Sequence, residues 1–326
     1  MAEGWSRHAL RFSEYYNSLS ASNLWTPPRL KRREWMFIPW DSRPPDRHRG
    51  FNDKSQVLKY LQNRSPHSCF HSTAYYKYPS ERKMLDKDWL GADLIFDLDG
   101  DHLPGVSDKD FPSMIGLIQE QAWSLWSDFL EPEFGFKEEH VQTSFSGHRG
   151  FHIHVRNPNL FHLDSNARRE LVNHIRGEGI NVQTTLSGVD SSWKNRVENG
   201  ISTVINKLVN IADDNSIKNP EMKNFSEILS VRSNFSDNKV KSYSPSTISK
   251  KITTLAELAT DNRRIERLKS DQTLLVFGEK LTPLFWELVK GDSSVVLGNA
   301  GETDEAVTVD VKRVIRCVGS LHGKCG

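Results

Sequence analysis

The 326-residue sequence has few cysteines, no long apolar run and no excess of one charge. Its three cysteines, Cys69, Cys317 and Cys325, are widely spaced and form no Cys-x-x-Cys pair, so neither a disulfide framework nor a cysteine-rich zinc site is predicted. No segment approaches the ~20 consecutive apolar residues of a membrane-spanning helix, and the first residues lack a secretory signal pattern. We therefore expect a soluble, cytoplasmic protein without a membrane partner.

The charges nearly cancel, with 43 Lys and Arg against 42 Asp and Glu and a net charge of +1. This balance argues against a protein coated in positive charge, but local charge matters more than the total. The segment 30–64 is locally basic, with a net charge of +5 read from its residues. Such a segment is compatible with a solvated face and with a nucleic-acid contact.

Apolar periodicity along the chain predicts a mixed α+β protein. We predict strands at 92–99, 141–145, 151–155 and 306–309, a long amphipathic helix at 111–130, and an exposed loop at 233–250. Between 159 and 299 the pattern is mostly helical. We therefore predict an α/β (mixed α+β) core, built from residues 1–158 and 300–326, that is interrupted by a mostly helical insertion at 159–299.

Two aspartates follow an apolar strand, in the motif Phe96-Asp97-Leu98-Asp99. Residues two apart in a strand point to the same side, so the Asp97 and Asp99 carboxylates should share one face. Two such charges are costly together unless a cation lies between them, and hard oxygen ligands suit Mg²⁺ or Mn²⁺. The alternative is a solvent-exposed acidic strand end without a metal.

A glycine-containing turn, Ser146-Gly147-His148-Arg149-Gly150, joins two predicted strands. Glycines let backbone amides approach an anion closely, and a guanidinium offers several donors to phosphate. The alternative is an ordinary hairpin turn. His152 and His154 share a face of the following strand, but a zinc site there is weakly supported because no third ligand lies nearby.

The C-terminal segment 304–326 carries Asp304 and Asp310, and from residue 311 onward it has four Lys or Arg and no acid. Its Ser320–Lys324 loop predicts either a phosphate contact or a solvated tail. Carboxylates for cations combined with Arg, His and Lys for phosphates are the ingredients of metal-dependent phosphoryl or nucleotidyl transfer.

In their order and spacing, these three motifs resemble the small catalytic subunit of archaeal and eukaryotic DNA primases, with the archaeal form closest. Phe12–Tyr16 and Arg33-Glu34 resemble the opening of the same family. The resemblance implies the archaeo-eukaryotic primase fold, with a mixed-sheet catalytic core. It implies a nucleotidyltransferase that makes short RNA, or DNA, primers from NTP or dNTP on a single-stranded DNA template, with a primase large subunit as partner.

Matched residue by residue, the resemblance implies that Asp97, Asp99 and Asp304 hold two Mg²⁺ or Mn²⁺ ions. Asp304 is preferred to Asp310 because it lies eighteen residues before His322, as in the family. The residues implied to hold the triphosphate are Ser146, His148, Arg149, His152, Arg316 and His322. Arg47 matches a further basic residue of the family loosely.

Three features depart from the family pattern. His148 stands where the family usually has Arg, so that phosphate contact should depend on pH. The segment 102–136 lacks the cysteines of the family's zinc knuckle, so we expect no structural zinc. The sequence stops at Gly326, where relatives continue, so we expect a truncated or fragmentary version of the subunit.

Three other functions compete with the replicative primase. A stand-alone primase-polymerase of repair or plasmid origin would use the same motifs. Phe96–Gly100 also resembles the first motif of haloacid dehalogenase-type phosphatases, although Asp101 stands where those enzymes have Thr. A non-catalytic nucleic-acid-binding module is the third alternative, and the three candidate aspartates argue against it.

Overall fold

A computed structural model describes residues 3–41, 43–100, 110–177, 185–186, 192–214, 219–232, 244–271, 276–292 and 305–323. The chain divides into two units, and the division falls within one helix. The first unit comprises Met1–Val172 and Ala300–Gly326, and the second comprises Asn173–Asn299.

The first unit contains the strands and several helices. Its helices are α1 (Glu3–Ser18), α2 (Lys54–Arg64), α3 (Phe111–Ser124), the start of α4 (Ser165–Arg176) and α10 (Glu305–Val309). Its strands are β1 (Trp35–Ile38), β2 (Asp46–Arg49), β3 (Ser68–Ser72), β4 (Ala74–Tyr76), β5 (Trp89–Ala92), β6 (Leu94–Asp99), β7 (Val141–Phe145), β8 (Gly150–Val155) and β9 (Val314–Arg316). A π-helical segment, Leu125–Leu130, continues α3.

A four-stranded antiparallel sheet has the order β2-β1-β3-β9. Its edge strand β9 comes from the end of the chain and pairs with β3 in the register Phe70↔Arg316. Helices α1 and α2 cover one face of this sheet, where Phe12 and Leu61 pack against Phe37 in a fully buried core. The C-terminal motif is thus part of the core of the first unit.

A second antiparallel sheet has the order β6-β8-β7, with the predicted aspartate strand β6 at one edge. Leu94, Ile95, Phe96 and Leu98 are almost fully buried, as expected for a strand that is covered on both faces. Strands β4 and β5 form a separate two-stranded ribbon.

The second unit is helical among the residues described. It contains the end of α4, then α5 (Ser192–Asp213), α6 (Pro220–Arg232), α7 (Pro245–Ala259), α8 (Asn262–Asp271) and α9 (Thr282–Gly291). Apolar residues at helical spacing, among them Val204, Leu208, Leu255 and Phe285, form one buried core.

The predicted mixed α/β fold class is confirmed, but two local predictions are wrong. Residues 306–309 form most of helix α10, not a strand, because burial of Val307 and Val309 outweighs the β-propensity of the Val-Thr-Val run. The predicted loop at 233–250 ends early, because Pro245 starts α7 and the Ser244 side chain accepts a hydrogen bond from Thr247 N. Residues 233–243 lie outside the described residues.

No helix in the described part of the chain is long and apolar enough to cross a membrane.

Candidate active site

Strand β6 brings Asp97 and Asp99 to one face at its C-terminal end, because side chains in a strand alternate between faces. Asp97 is half-buried and Asp99 is exposed, whereas the apolar residues before them are buried. The strand therefore runs from the core to the surface and carries its two carboxylates outward.

The neighbouring strand β8 places His152 opposite Asp97 and Gly150 opposite Asp99. His152 Nε2 lies 3.4 Å from Asp97 Oδ1. Burial, and then the positive charge of Arg316, lowers the pKa of His152 to about 4. His152 is thus neutral at neutral pH and faces the aspartate pair as a polar group without charge.

The glycine-containing turn between β7 and β8 is held by the side chain of its first residue. Ser146 Oγ accepts hydrogen bonds from His148 N, at 3.4 Å, and from Gly150 N, at 3.1 Å. Gly147 has φ +87°, a conformation that favours glycine. Arg149 O accepts a hydrogen bond from Gly100 N, so the turn is anchored beside the end of β6.

The C-terminal motif meets this turn. The rings of His148 and His322 stack with centroids 5.2 Å apart and planes 16° apart. A Cβ added to Gly147 would lie 3.4 Å from His322 Cβ and 3.6 Å from Arg316 Cδ. The structure therefore brings together two segments that lie about 170 residues apart in the sequence.

Packing also holds the C-terminal motif in place. Tyr15 donates a hydrogen bond to Gly319 O at 2.7 Å, and Leu321 packs against the core under α1 and α2. The Arg316 guanidinium lies over the ring of Phe70, 4.8 Å from its centroid. A Cβ at Gly323 would overlap the ring of His67.

Asp304 lies outside the described residues, but the helix that follows it is described. Val307 of α10 packs with Ile95 of β6 and Ile315 of β9 in a buried cluster. Ile95 shares its strand face with Asp97 and Asp99. Asp310, the rejected candidate, is exposed, and its Oδ1 accepts a hydrogen bond from Lys312 N at 2.9 Å, which stabilises the turn into β9.

The donor set fits a hard divalent cation. Asp97 and Asp99 offer carboxylate oxygens from one face, at a strand end that is partly open to solvent, and such ligands suit Mg²⁺ or Mn²⁺. Within the described ranges, no three His, Cys, Asp or Glu residues are grouped to hold a metal.

A buried ionic network lies directly before β6, and the sequence patterns did not predict it. Asp93 and Arg33 form an ion pair at 2.8 Å with both side chains fully buried. Tyr75 donates a hydrogen bond to Asp93, and Arg156 Nε lies 3.3 Å from it. Arg168 donates to the backbone oxygen of Asp93 at 2.8 Å. Only an acidic residue directly before an apolar strand hinted at this network.

Two buried histidines lie behind the site. His154 follows His152 on the same face of β8, and its ring centroid is 6.4 Å from that of His71. Both are fully buried. Burial lowers the pKa of His71 to about 3 and holds that of His154 well below its usual value. These residues are therefore neutral parts of the core.

Arg47, the loosely matched basic residue, lies beside a buried carboxylate. Its guanidinium is 3.5 Å from Glu34 Oε1, which His48 Nδ1 also approaches at 3.1 Å. Lys87 Nζ lies 3.4 Å from Glu34 Oε2, and both of these side chains are buried.

Comparison with known proteins identifies the family. A family model described as DNA primase small subunit matches residues 96–326 of the chain, which include the aspartate strand, the turn and the C-terminal motif. The chain belongs to the DNA primase small subunit family.

Individual relatives agree. The DNA primase small subunit PriS of Methanocella arvoryzae is 32% identical, over 96% of this chain and 78% of that protein. PriS of Methanosarcina acetivorans is 34% identical, over 97% and 78%. PriS of Haloarcula marismortui is 29% identical, over 97% and 78%. The Phe96–Asp99 motif is thus that of a primase and not of a haloacid dehalogenase-type phosphatase, and the chain is a polymerase-type nucleotidyltransferase.

Proposed function

We propose that this primase small subunit joins nucleotides on a single-stranded DNA template through a site built from Asp97, Asp99 and Asp304. The observation that carries the proposal is the convergence of three segments. The aspartate strand, the Ser146–Gly150 turn and the Arg316–His322 motif meet in the first unit, where carboxylates face one side of a sheet and basic groups lie beside them. We assign catalysis to residues 1–158 and 300–326, and a helical insertion to 159–299.

The residues divide into two groups by charge. Asp97, Asp99 and Asp304 would hold two Mg²⁺ or Mn²⁺ ions, which when bound activate the attacking hydroxyl and neutralise charge on the phosphates. Arg149, Arg316 and the stacked His148 and His322 would orient the triphosphate of the incoming NTP or dNTP. Ser146 would shape the turn, and its hydroxyl proton would remain a donor to phosphate.

His152 has a further role in this proposal. It is neutral and lies 3.4 Å from Asp97 Oδ1, and burial together with the charge of Arg316 lowers its pKa. A neutral imidazole there would donate a hydrogen bond and, because it carries no charge, would not repel the cation. We also propose that a primase large subunit binds this chain, since the named relatives are called small subunits.

The test compares two aspartates of the same segment. Asp304→Asn should lower template-directed incorporation of labelled NTP, with Mn²⁺ or Mg²⁺, by at least 10²-fold, as should Asp97→Asn. Asp310→Asn should retain most activity, because its carboxylate is exposed and serves a turn. An Asp310 variant that is inactive but folded, beside an active Asp304 variant, would refute the assignment.

The same assay separates the remaining alternatives. Synthesis of short oligomers without a pre-existing primer supports a primase, whereas extension restricted to added primers favours a stand-alone primase-polymerase.

A further inference from the structure

The locally basic segment 30–64 borders two cavities at opposite ends of helix α2, and neither contains a residue of the proposed catalytic site. The first, of about 380 Å³, lies at the C-terminal end of α2 and includes Arg64 in its lining. The second, of about 670 Å³, lies at the N-terminal end and includes Lys54. An 11-residue helix is about 16 Å long, so the two cavities are several phosphate spacings apart.

The cavity at the C-terminal end combines three guanidinium groups with one carboxylate. Arg43, Arg49 and Arg64 border it together with Asp46. Asp46 accepts hydrogen bonds from Arg49 Nε at 2.8 Å and from Tyr60 at 2.5 Å. The lining therefore keeps a net positive charge, although Arg43 also pairs with Asp41 on the surface.

An aromatic ring adjoins these arginines. Tyr60 is half-buried and borders the cavity, and its ring stacks on the buried ring of Phe37 with centroids 4.1 Å apart. Cationic groups beside a partly exposed aromatic ring are the combination with which proteins bind single-stranded nucleic acid.

The cavity at the N-terminal end is also cationic. Arg29, Lys31, Arg32 and Lys54 border it with a single acid, Asp53. The Asp53 Oδ1 atom accepts hydrogen bonds from Ser55 Oγ and Gln56 N at the start of α2, which engages that oxygen in the helix cap.

Arg29 in this cavity is held in an unusual conformation. Its φ of 55° lies in the left-handed region, which a residue with a side chain adopts at a cost. Its guanidinium lies over the rings of Tyr75 and Phe161, 4.8 and 4.5 Å from their centroids. The fold thus fixes one cation of this cavity in place.

Three other cations on this surface are available to an external anion. In the part of the chain that the structure describes, Lys31, Lys54 and Arg64 form no ion pair within 4 Å. They lie at the two ends of α2, so a ligand that contacts all three must be extended and polyanionic. A single nucleotide is too short to do so.

This surface and Arg316 lie on opposite faces of the four-stranded sheet. Helix α2 packs on the face of the four-stranded sheet that carries Phe37 and its register partner Cys69. Arg316 pairs with Phe70, the next residue along β3, and so belongs to the opposite face.

We propose that the surface formed by Lys31, Lys54 and Arg64 around α2, the α2 surface, binds the phosphate backbone of single-stranded nucleic acid outside the catalytic site. The proposal rests on the proposed function, because an enzyme that copies a single-stranded DNA template must bind that polyanion. The two cavities contact successive stretches of one strand, and their cations neutralise its phosphates.

The test uses the full chain and a fluorescein-labelled oligodeoxythymidylate of 20 nucleotides. Free nucleotide and divalent metal are left out, so that loss of primer synthesis cannot affect the measured binding. Fluorescence anisotropy gives the affinity at several salt concentrations. The test variant carries Lys31→Ala, Lys54→Ala and Arg64→Ala. The matched control, Lys223→Ala with Lys250→Ala and Arg263→Ala, removes the same charge from exposed positions of the second unit.

We expect the test variant to bind at least tenfold more weakly than the unaltered chain. Its plot of log affinity against log salt concentration should be less steep by about 2, since each phosphate contact contributes about 0.7 for single strands. The control should retain both values. Equal affinity and slope for test and control variants, or no binding by the unaltered chain, would overturn the proposal. If the triple variant unfolds, Arg64→Ala alone should lower the slope by about 0.7.

Discussion

Gly150 is the position at which a single methyl group should damage the site most directly. It lies opposite Asp99 in the β6–β8 ladder. A Cβ there would overlap the carbonyl oxygen of Leu98 and lie 2.9 Å from its carbonyl carbon and 3.1 Å from Asp99 Cα. All of these atoms belong to the backbone of β6, so no side-chain rotation can relieve the overlap.

The Gly150→Ala substitution must therefore push β6 away from β8. Forced overpacking of this kind costs about 1–3 kcal/mol of unfolding free energy. The movement also displaces the two carboxylates, and a shift of about 1 Å in a catalytic group costs about 10²-fold in rate. We expect a modest loss of stability and a much larger loss of activity.

Gly116→Ala in α3 is the matched control, because a Cβ at Gly116 meets no atom within 4 Å. Alanine is favoured over glycine inside a helix by up to about 1 kcal/mol, so this variant should be as stable as the unaltered chain or more so. Urea unfolding and template-directed NTP incorporation measure the two effects. A Gly150→Ala protein with unchanged stability and activity would refute the described pairing of β6 with β8.

Three further predictions concern histidines and zinc. His148→Arg should lower the apparent KM for NTP by up to about tenfold, because a permanent charge would replace an imidazole beside His322; an unchanged KM at pH 8 would place His148 away from the triphosphate. His71 is neutral in the fold, with its pKa lowered to about 3, so its stabilising effect is complete above pH 6.5 and lost as the pH falls toward 3. Between pH 7 and 5 the free energy of unfolding should fall by about 2 kcal/mol on account of His71. In urea unfolding, the His71→Gln protein should lose less stability over this range. Parallel pH profiles for the two proteins would contradict the prediction. Elemental analysis should find no stoichiometric zinc, and one tightly held equivalent would disprove this expectation.

The sequence predicted the site strand well because its local pattern and its environment agree. The strand predicted at 92–99 corresponds to β6 and the end of β5, and those predicted at 141–145 and 151–155 correspond to β7 and β8. An apolar run that ends in acidic residues predicts a buried strand whose acidic end reaches the surface, and β6 has both features. The glycines of the turn likewise predicted its tight geometry, and Gly147 has the positive φ that favours glycine.

Other features depended on long-range contacts that no local pattern reveals. Helix α10 was predicted as a strand because Val, Thr and Val favour strands, and only its packing on Ile95 and Ile315 explains the helix. The ion pair between Arg33 and Asp93 joins residues 60 positions apart. Sequence periodicity marks apolar faces, but it does not report which buried charges meet.

The position of Asp93 links the buried network to the chemistry proposed for the surface. Asp93 precedes β6 directly, so the groups that fix it also fix the start of the strand that carries Asp97 and Asp99 four and six residues later. Breaking a buried ion pair by removing one partner costs about 3–5 kcal/mol, because the remaining charge is left without compensation. Removal of one partner should therefore also disturb the start of β6. Without a cation, the Asp97 and Asp99 carboxylates repel each other. Because the buried network fixes the start of the strand that carries them, it opposes the displacement that this repulsion would cause.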